Sequence, residues 1–322
     1  MKALYTSPWV PVEWIEAHGF EPCGAWFALN DQSTVLPEGA CAFAQAMAEL
    51  ATAQPEAVVI FTTACDQMRR AADTVVSNQY SRVFLFNLPA TWQTPAARRL
   101  YHGEVQRLGN FLERLGGCAP TDAGLVAAMR KHEERRKQVR AVIQRGAARQ
   151  SAEALAHFFG DGSVKMEQAP AVPATQSVPL ALVGGPLLPS QWPLFNATEA
   201  AGGCVVLNGT EPGERCLLPP LPSLGQGESP LLAVANHYFD HLVDVFQRPN
   251  SRLYEWLATR LTLRRVRGIV LWVHVGCDLW RAEAASLREA FGLPVLVLDS
   301  HEVRAGGLRD TNRLAAFIES LK

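Results

Sequence analysis

The sequence predicts an α/β protein with two parallel-sheet lobes and an additional helical segment. Patterns typical of strands and helices alternate in both halves of the 322-residue chain, which favours parallel sheets with helical crossovers. The strand candidates are continuous apolar runs, as expected for strands covered on both faces. Between the halves the periodic pattern is lost, and Pro, Ala, Ser and Gln accumulate as in a linker. We therefore expect Rossmann-like or flavodoxin-like lobes and divide the chain into a first lobe at residues 1–94, a helical segment at 95–160, a linker at 161–178 and a second lobe at 179–322.

The first lobe begins with a short strand around ALY. A helix is then expected to begin after Pro11 and to end at Gly19, followed by the strand-like segment CGAWFAL. Residues 41–53 are rich in Ala and predict a second helix. The apolar run at 57–63 predicts a strand, MRRAADTVV predicts a helix, and RVFLFNLP predicts a strand that ends at Pro89.

The helical segment is predicted from residues 95–117 and 120–160, and the second stretch opens with Thr121 or Asp122 as a helix cap. This stretch contains the most basic part of the chain: Arg130, Lys131, Arg135, Arg136, Lys137 and Arg140. A phosphate-binding or partner-binding patch is one interpretation. We favour a solvated helix with one buried stripe, because glutamates and apolar residues are interleaved with the cations.

The second lobe repeats the order of the first. Its predicted elements are strand PLALVGG, a helix near 190–201, strand CVVLNG, a loop at 208–230, helices around 231–246 and 250–265, strand GIVLWVH, helix RAEAASLREAFG, strand PVLVLD and a terminal helix. In both lobes a helix that closes on Gly precedes a Cys-containing strand, in AHGFEPC and AAGGCVV. This repetition favours an internal duplication.

Composition excludes several classes of function. The hydrophobic fraction of 48% and charged fraction of 19% are typical of a globular protein, and a net charge of -1 gives no electrostatic basis for binding nucleic acid or acidic lipid. No apolar stretch approaches the roughly 20 residues that cross a bilayer. The N-terminal MKALYTSPWV lacks the features of a signal peptide. We therefore expect a cytoplasmic protein with no nucleic-acid or membrane partner.

The seven cysteines, an odd number without a secretion signal, indicate free thiols in a reducing compartment. The sequence has no CxxC pair and no ferredoxin-type run of closely spaced cysteines, which argues against zinc-ribbon, thioredoxin and ferredoxin sites. A metal site would therefore have to be assembled by the fold.

Two distant stretches, AVVIFTTACDQMRR at 57–70 and GIVLWVHVGCDLWR at 268–281, end in the same way. Each apolar strand delivers a Cys-Asp pair, with an Arg four residues after the Cys. Ligands bind at this edge of open α/β sheets. Cys65 and Cys277 are thus predicted to meet where the lobes face each other, and thiolates favour a soft metal or an iron–sulfur cluster.

The structural alternative is that each Cys is a small core side chain, because free Cys is among the most buried residue types. The neighbouring Asp66 and Asp278 fit helix caps, and the amides of the helices that follow would stabilise a thiolate or the sulfides of a cluster. Recurrence of Cys, Asp and Arg at the same offsets favours ligation over packing.

TTACDQMRR resembles the Cys-Asp-x-x-Arg-Arg signature of the 2-hydroxyacyl-CoA dehydratase and benzoyl-CoA reductase superfamily, and the chain looks related to the dehydratase D-component. The resemblance spans most of the chain through YTSPWVPVEWIEAHGFEP, LPEGACAF, VGGPLLP, GTEPGER, HVGCDLW and LRDTNRLAAFIESL. The order of these segments is more specific than any one of them. It implies two α/β lobes with a helical element.

The resemblance also implies a metal centre. Matching segments assign Cys41, Cys65 and Cys277 as ligands of an iron–sulfur cluster between the lobes, with a 4Fe-4S cluster as the leading form and a double cubane as the alternative. Three thiolates leave one iron open to water, to a substrate oxygen or to a second cluster. The remaining cysteines are expected to be packing or loop residues: Cys23, Cys118, Cys204 and Cys216.

The implied activity is single-electron, ketyl-radical chemistry on an acyl-CoA thioester. Candidates for catalytic residues, chosen by position only, are Ser7, Glu13, Asp66, His274 and Asp278, each of which also fits a turn, helix, cap or strand. Two alternatives remain: a double-cubane-type reductase of small molecules, and a non-catalytic electron-relay or structural subunit, which the short length of the chain favours.

The resemblance implies partners as well: a homologous second subunit or a second copy of the chain, and an ATP-dependent activator with its own iron–sulfur cluster. The sequence lacks GxxxxGK[ST], and GGP at 184–186 is too weak a motif for a dinucleotide site. ATP chemistry would therefore have to come from the activator.

Overall fold

The structure, a computed structural model, describes residues 1–27, 40–77, 81–145, 148–160, 162–163, 177–300 and 308–322. Most of the predicted linker lies outside these residues, as do the last two residues of CGAWFAL and the first four of LPEGACAF. Two four-stranded parallel sheets with surrounding helices confirm the predicted α/β class with two lobes. Among the helices in the described ranges, none is long and apolar enough to cross a membrane.

The first lobe is built on a sheet whose central strands are buried. Its strands are β1 (Lys2–Tyr5), β2 (Glu21–Gly24), β3 (Val58–Thr62) and β4 (Val83–Phe86). They lie in the order β2-β1-β3-β4, with every pairing parallel. The connecting helices are α1 (Val12–Ala17), α2 (Ala42–Ala53) and α3 (Asp66–Ser77). All five residues of β3 are buried, as its unbroken apolar run predicted.

The predicted strand CGAWFAL is shorter than expected. Only its first two residues belong to β2, and Ala25–Phe27 form a 3-10 turn. The chain packs tightly at this point, because a Cβ atom on Gly24 would lie 2.4 Å from the backbone oxygen of Phe159 and 2.5 Å from the ring of Trp26. Gly24 therefore allows the buried Trp26 to fold back beside the strand end.

The helical segment contains α4 (Pro95–Arg114), α5 (Asp122–Arg145) and α6 (Ala148–Gly160). Thr94 caps α4 by accepting a hydrogen bond from the N–H of Ala97, and Pro95 occupies the first turn. The single stretch predicted as helix at 120–160 forms two helices, α5 and α6, which pack on each other. One expectation for α5 is corrected: Arg136, assigned to a solvated face, is only 2% exposed.

The second lobe has the same topology as the first. Its strands are β5 (Val178–Pro186), β6 (Gly203–Glu211), β7 (Gly268–His274) and β8 (Val295–Ser300), and its helices are α7 (Pro193–Ala200), α8 (Pro230–His241), α9 (Ser251–Leu263), α10 (Asp278–Phe291) and α11 (Leu308–Ser320). The parallel order β6-β5-β7-β8 matches that of the first sheet, position for position. This match supports the predicted duplication, because β3 and β7 occupy equivalent places.

Two helices join the lobes. Helix α6 contacts both β2 and β6, which are the edge strands of the two sheets. Helix α8 follows the second lobe's β6 in sequence, yet its Tyr238 and Phe239 are buried in the same hydrophobic core as β1 and α4. The shared core fixes how the strand ends of the two lobes face each other.

Candidate active site

Each of the three predicted ligand cysteines directly precedes the first residue of a helix. Cys41 is followed by α2, Cys65 by α3 and Cys277 by α10. The start of a helix presents free backbone N–H groups and the positive end of the helix dipole, which together stabilise negative charge. The fold thus places three sulfur atoms beside amide donors that would offset part of the charge of a thiolate.

The sulfur atoms use these amides. The hydrogen-bond donors are the N–H groups of Phe43 and Ala44 for Cys41, of Gln67 and Met68 for Cys65, and of Trp280 for Cys277. None of the seven cysteines, all of which lie within the described ranges, forms a disulfide. The three sulfurs are therefore oriented by the first turns of three different helices, two in the first lobe and one in the second.

The three cysteines line one cavity of about 360 Å³ between the lobes. Burial raises the pKa of Cys65 to about 11, and the charge of Cys41 contributes. Burial likewise raises the pKa of Cys277 to about 12, with contributions from Cys41 and Cys65. The pKa of Cys65 and that of Cys277 are thus raised further by thiolate charge within the same cavity. In the absence of a metal they are protonated near neutral pH.

Thiols are the ligands that iron–sulfur clusters use most often, so the donor set is chemically suited to such a cluster. Within the described ranges, no group of three or more His, Cys, Asp or Glu side chains is arranged to hold one metal ion. The protein ligands of a cluster stand farther apart than those of a single ion, because the inorganic core lies between them. Three free thiols around one cavity, each with amide donors, match that requirement.

His274 is buried at the end of β7 and lines the same cavity. Its Nε2 lies 2.8 Å from the backbone oxygen of Pro186, so Nε2 carries the hydrogen. Burial lowers the pKa of His274 to about 4, and the imidazole is neutral. Its Nδ1 is buried and has no hydrogen-bond partner among the described residues. A buried, unpaired acceptor in a cavity is a candidate contact for a substrate.

Two carboxyl groups, which share one arginine as a partner, form another part of the cavity wall. Glu211 ends β6 and Asp244 follows α8, and both line the cavity. Arg215 is 2% exposed; it donates to Asp244 and lies 3.3 Å from Glu211. Burial raises the pKa of Glu211 to about 8; the charge of Arg215 lowers it and that of Asp244 raises it. Glu211 therefore retains a proton at neutral pH.

The sequence did not single out Glu211 or Asp244. The available signal for Glu211 was the segment GTEPGER, which carries part of the resemblance. Asp244 was not recognised as a site residue because the predicted helix at 231–246 includes it, whereas α8 ends at His241. The residues after α8 leave the helix and carry Asp244 to Arg215.

The other predicted residues have different environments. Ser7 is buried and lines the cavity, while Asp66 and Asp278 are exposed first residues of α3 and α10 that also line it. Glu13 is not among the residues that line the cavity. It is 2% exposed and paired with Arg136 on α5. The fold therefore gives Glu13 a structural contact away from the cysteines.

The cysteines expected to have packing or loop roles do not line the cavity. Cys204 in β6 is buried, and Cys216 is part of the hydrophobic core. Cys118 is exposed, and Cys23 is half-buried in β2. The set of seven thiols is thus divided by position into three that share a cavity and four that do not.

The fold and the site define a class: two-lobed parallel α/β proteins with a thiol-lined cavity between equivalent strand ends. The model of the family described as 2-hydroxyglutaryl-CoA dehydratase, D-component, matches residues 9–321 of the chain. The chain belongs to this family, which confirms the resemblance to the dehydratase superfamily. A comparison with curated proteins gives no match.

Proposed function

We propose that the chain is the iron–sulfur subunit of a 2-hydroxyacyl-CoA dehydratase or a related benzoyl-CoA reductase-like enzyme, with Cys41, Cys65 and Cys277 holding a 4Fe-4S cluster. The observation that carries this proposal is the convergence of three cysteines at three helix starts on one cavity. When bound, such a cluster supplies single-electron chemistry on the thioester and an iron with an open coordination position.

The side chains of the cavity support a division of acid and base roles. Dehydration removes a proton from the β-carbon and a hydroxyl group from the 2-position. His274 offers an unpaired Nδ1 that can accept the proton. Glu211 holds a proton at neutral pH and can donate it to the departing hydroxyl, which then leaves as water. Both groups line the cavity that contains the thiols.

The surroundings of the cavity also favour the binding of negative charge. Three helix starts face it. Behind the wall, the buried Arg215 is paired with Asp244 and Glu211 and lies 5.1 Å from the ring centroid of Trp280, so it holds the two carboxyl groups in place. The fixed dipoles of the helix starts stabilise developing negative charge on the substrate oxygen without reorganising during the reaction.

The family description refers to a component, which supports an enzyme assembled from more than one part. We propose a homologous subunit or a second copy of this chain as the structural partner. An ATP-dependent iron–sulfur activator would supply the electron, since the sequence carries no P-loop motif.

The proposal is tested by turnover of 2-hydroxyglutaryl-CoA. The chain and its proposed partner subunit are purified without oxygen, loaded with iron and sulfide, and supplied with reductant, ATP and the activator. We expect an enoyl-CoA product that requires the activator. Cluster reduction without product would assign an electron-relay role, and reduction of small molecules in place of the thioester would assign a double-cubane-type reductase. Failure to retain iron would contradict all three functions.

The protonation of Glu211 predicts how the stability of the metal-free chain depends on pH. The pKa of Glu211 is about 8 in the folded chain and near 4.5 when unfolded, so folding takes up a proton between these values. The stabilisation is complete below pH 4.5 and is lost as the pH rises through 8. Between pH 6.5 and 8 we expect the free energy of unfolding to fall by about 1–2 kcal/mol through this residue.

Urea unfolding at the two pH values measures this effect. Glu211→Gln should remove most of the decrease, because the amide does not titrate. Glu255→Gln, at an exposed position on α9, is the matched control and should retain the decrease. A decrease of the same size in Glu211→Gln and in the unmodified chain would show that Glu211 is not the titrating group.

A further inference from the structure

A second cavity, of about 430 Å³, lies between the first lobe and the helical segment. It shares no lining residue with the thiol-lined cavity. Its walls come from β1, β2, α1, α5, α6 and α8. Its volume is within the range of small-molecule sites, which run from about 300 to 1,000 Å³. The chemistry proposed above does not use this cavity.

Two consecutive arginines of α5 line the second cavity and have unused donors. Arg135 is half-buried and has no ion pair or hydrogen bond to any described residue. Its guanidinium lies beside Gly162, where a Cβ atom would come within 2.6 Å of Nη1. Arg136 is 2% exposed, and its buried Nη1 has no hydrogen-bond partner among the described residues. Buried donors of this kind ordinarily have a partner.

Other charged groups at the cavity have partners or face solvent. Glu16 pairs with Lys131 at 2.5 Å and with His132 at 2.9 Å. Glu21 is exposed, so water and salt screen its charge. Among the described side chains that line this cavity, Arg135 is therefore the cation without an ion pair; Met1, which carries the N-terminal amino group, also lines the cavity but is exposed.

Arg136 forms ion pairs with Glu13 and Glu133. Its Nη2 donates to Glu13 and to the hydroxyl of Tyr238, while Nη1 lies 3.8 Å from Glu133, beyond hydrogen-bond distance. Glu133 is itself engaged by Arg140. Nη1 of Arg136 therefore has no hydrogen-bond acceptor among the described residues.

Aromatic side chains form the rest of the cavity wall. Those that line it are Tyr5, Phe20, Phe158, Phe159 and Tyr238. Aromatic walls accept a flat apolar body, and a guanidinium donates two parallel hydrogen bonds to a carboxylate or a phosphate. The cavity thus combines an apolar compartment with one uncompensated cationic end.

We propose that this second cavity is a binding site for a small organic anion, in which a carboxylate or phosphate contacts Arg135 and Arg136 and a ring packs against the phenylalanines. This site is independent of the cluster and of the dehydratase proposal. The ligand class follows from the unpaired guanidinium of Arg135, the unsatisfied Nη1 of Arg136 and the aromatic walls.

Calorimetric titration of the full chain at low salt tests the proposal with three small molecules that share a phenyl ring. Benzoate and phenyl phosphate carry the two anionic groups, and benzamide is the neutral control. We expect saturable binding of at least one anion, and affinity for benzamide at least about tenfold weaker, since charge-assisted hydrogen bonds contribute about 1.5–3 kcal/mol. The stronger of the two anions identifies the group that the site prefers.

Arg135→Gln should weaken binding of the anion by about tenfold and leave benzamide unchanged. Arg130→Gln removes the same charge from an exposed position of α5 outside the cavity and should have no effect. If the glutamine variant does not fold, Arg135→Lys is measured in its place. It retains the charge but lacks the planar guanidinium with its paired donors, and its affinity should lie between that of the unmodified chain and a tenfold loss. Equal affinity for the anions and benzamide, or no saturable binding, would overturn the proposal.

Discussion

Replacement of Cys41, Cys65 or Cys277 by alanine should abolish retention of iron and sulfide while the chain remains folded. Each variant removes one of the three protein bonds that would hold the cluster, and alanine is tolerated at these half-buried or buried positions before a helix. After anaerobic reconstitution, the unmodified chain should contain about four iron atoms, as a 4Fe-4S cluster requires. Each variant should contain almost none. Iron and sulfide analysis, with the visible absorption spectrum, measures this difference.

Two other cysteines provide matched controls. Cys118→Ala changes an exposed thiol, and Cys204→Ala changes a buried one in β6; neither lines the thiol cavity. Both variants should retain the same iron as the unmodified chain. Circular dichroism and gel filtration establish that all five variants are folded. Equal iron content in all of them would refute the assignment of the three ligands.

Replacement of Arg136 by methionine should destabilise the chain by about 3–5 kcal/mol. Arg136 and Glu13 form an ion pair in which both side chains are at least 97% buried. Burial alone would raise the pKa of Glu13, but the charges of Arg136 and His132 hold it below its ordinary value. Removal of the arginine leaves a buried carboxylate without its main partner. Urea unfolding of the metal-free chain gives the change in free energy.

A paired variant separates loss of packing from loss of charge balance. Glu13→Gln combined with Arg136→Met should recover part of the lost stability, because the buried charge is removed together with its partner. Lys137→Met, in an exposed pair with Glu134 on the same helix, should change stability by less than about 1 kcal/mol. If Arg136→Met and Lys137→Met have the same small effect, the buried pair is not a main support of the fold.

The strand pattern was predictable because it depends on local burial. The runs that became β3 and β7 are apolar at every position, and a central parallel strand is covered on both faces, so sequence and environment correspond directly. Their Cys-Asp endings recur at the same offsets because the two strands occupy equivalent places in their sheets. The prediction that Cys65 and Cys277 line one cavity follows from this equivalence.

Other parts of the site had no local signal. Cys41 follows no Cys-Asp pattern, and only the family resemblance selected it. Glu13 was a candidate catalytic residue because of its place in the sequence. In the fold it is paired with Arg136, which lies 123 residues further along the chain. Glu211 and Asp244 share Arg215 as a partner only because α8 ends before Asp244. Helix ends are set by packing as much as by propensity.

The sequence by itself determined the α/β class, the two lobes and the two cysteines at equivalent strand ends, because hydrophobic periodicity is imposed by the elements in which the residues lie. Only the tertiary structure decided which charges are paired, which cysteines share a cavity with His274, and which donor of Arg136 is left without an acceptor among the described residues. These outcomes depend on contacts between residues far apart in the chain. Such contacts are fixed when α6 and α8 pack across the two lobes, and no short stretch of sequence encodes them.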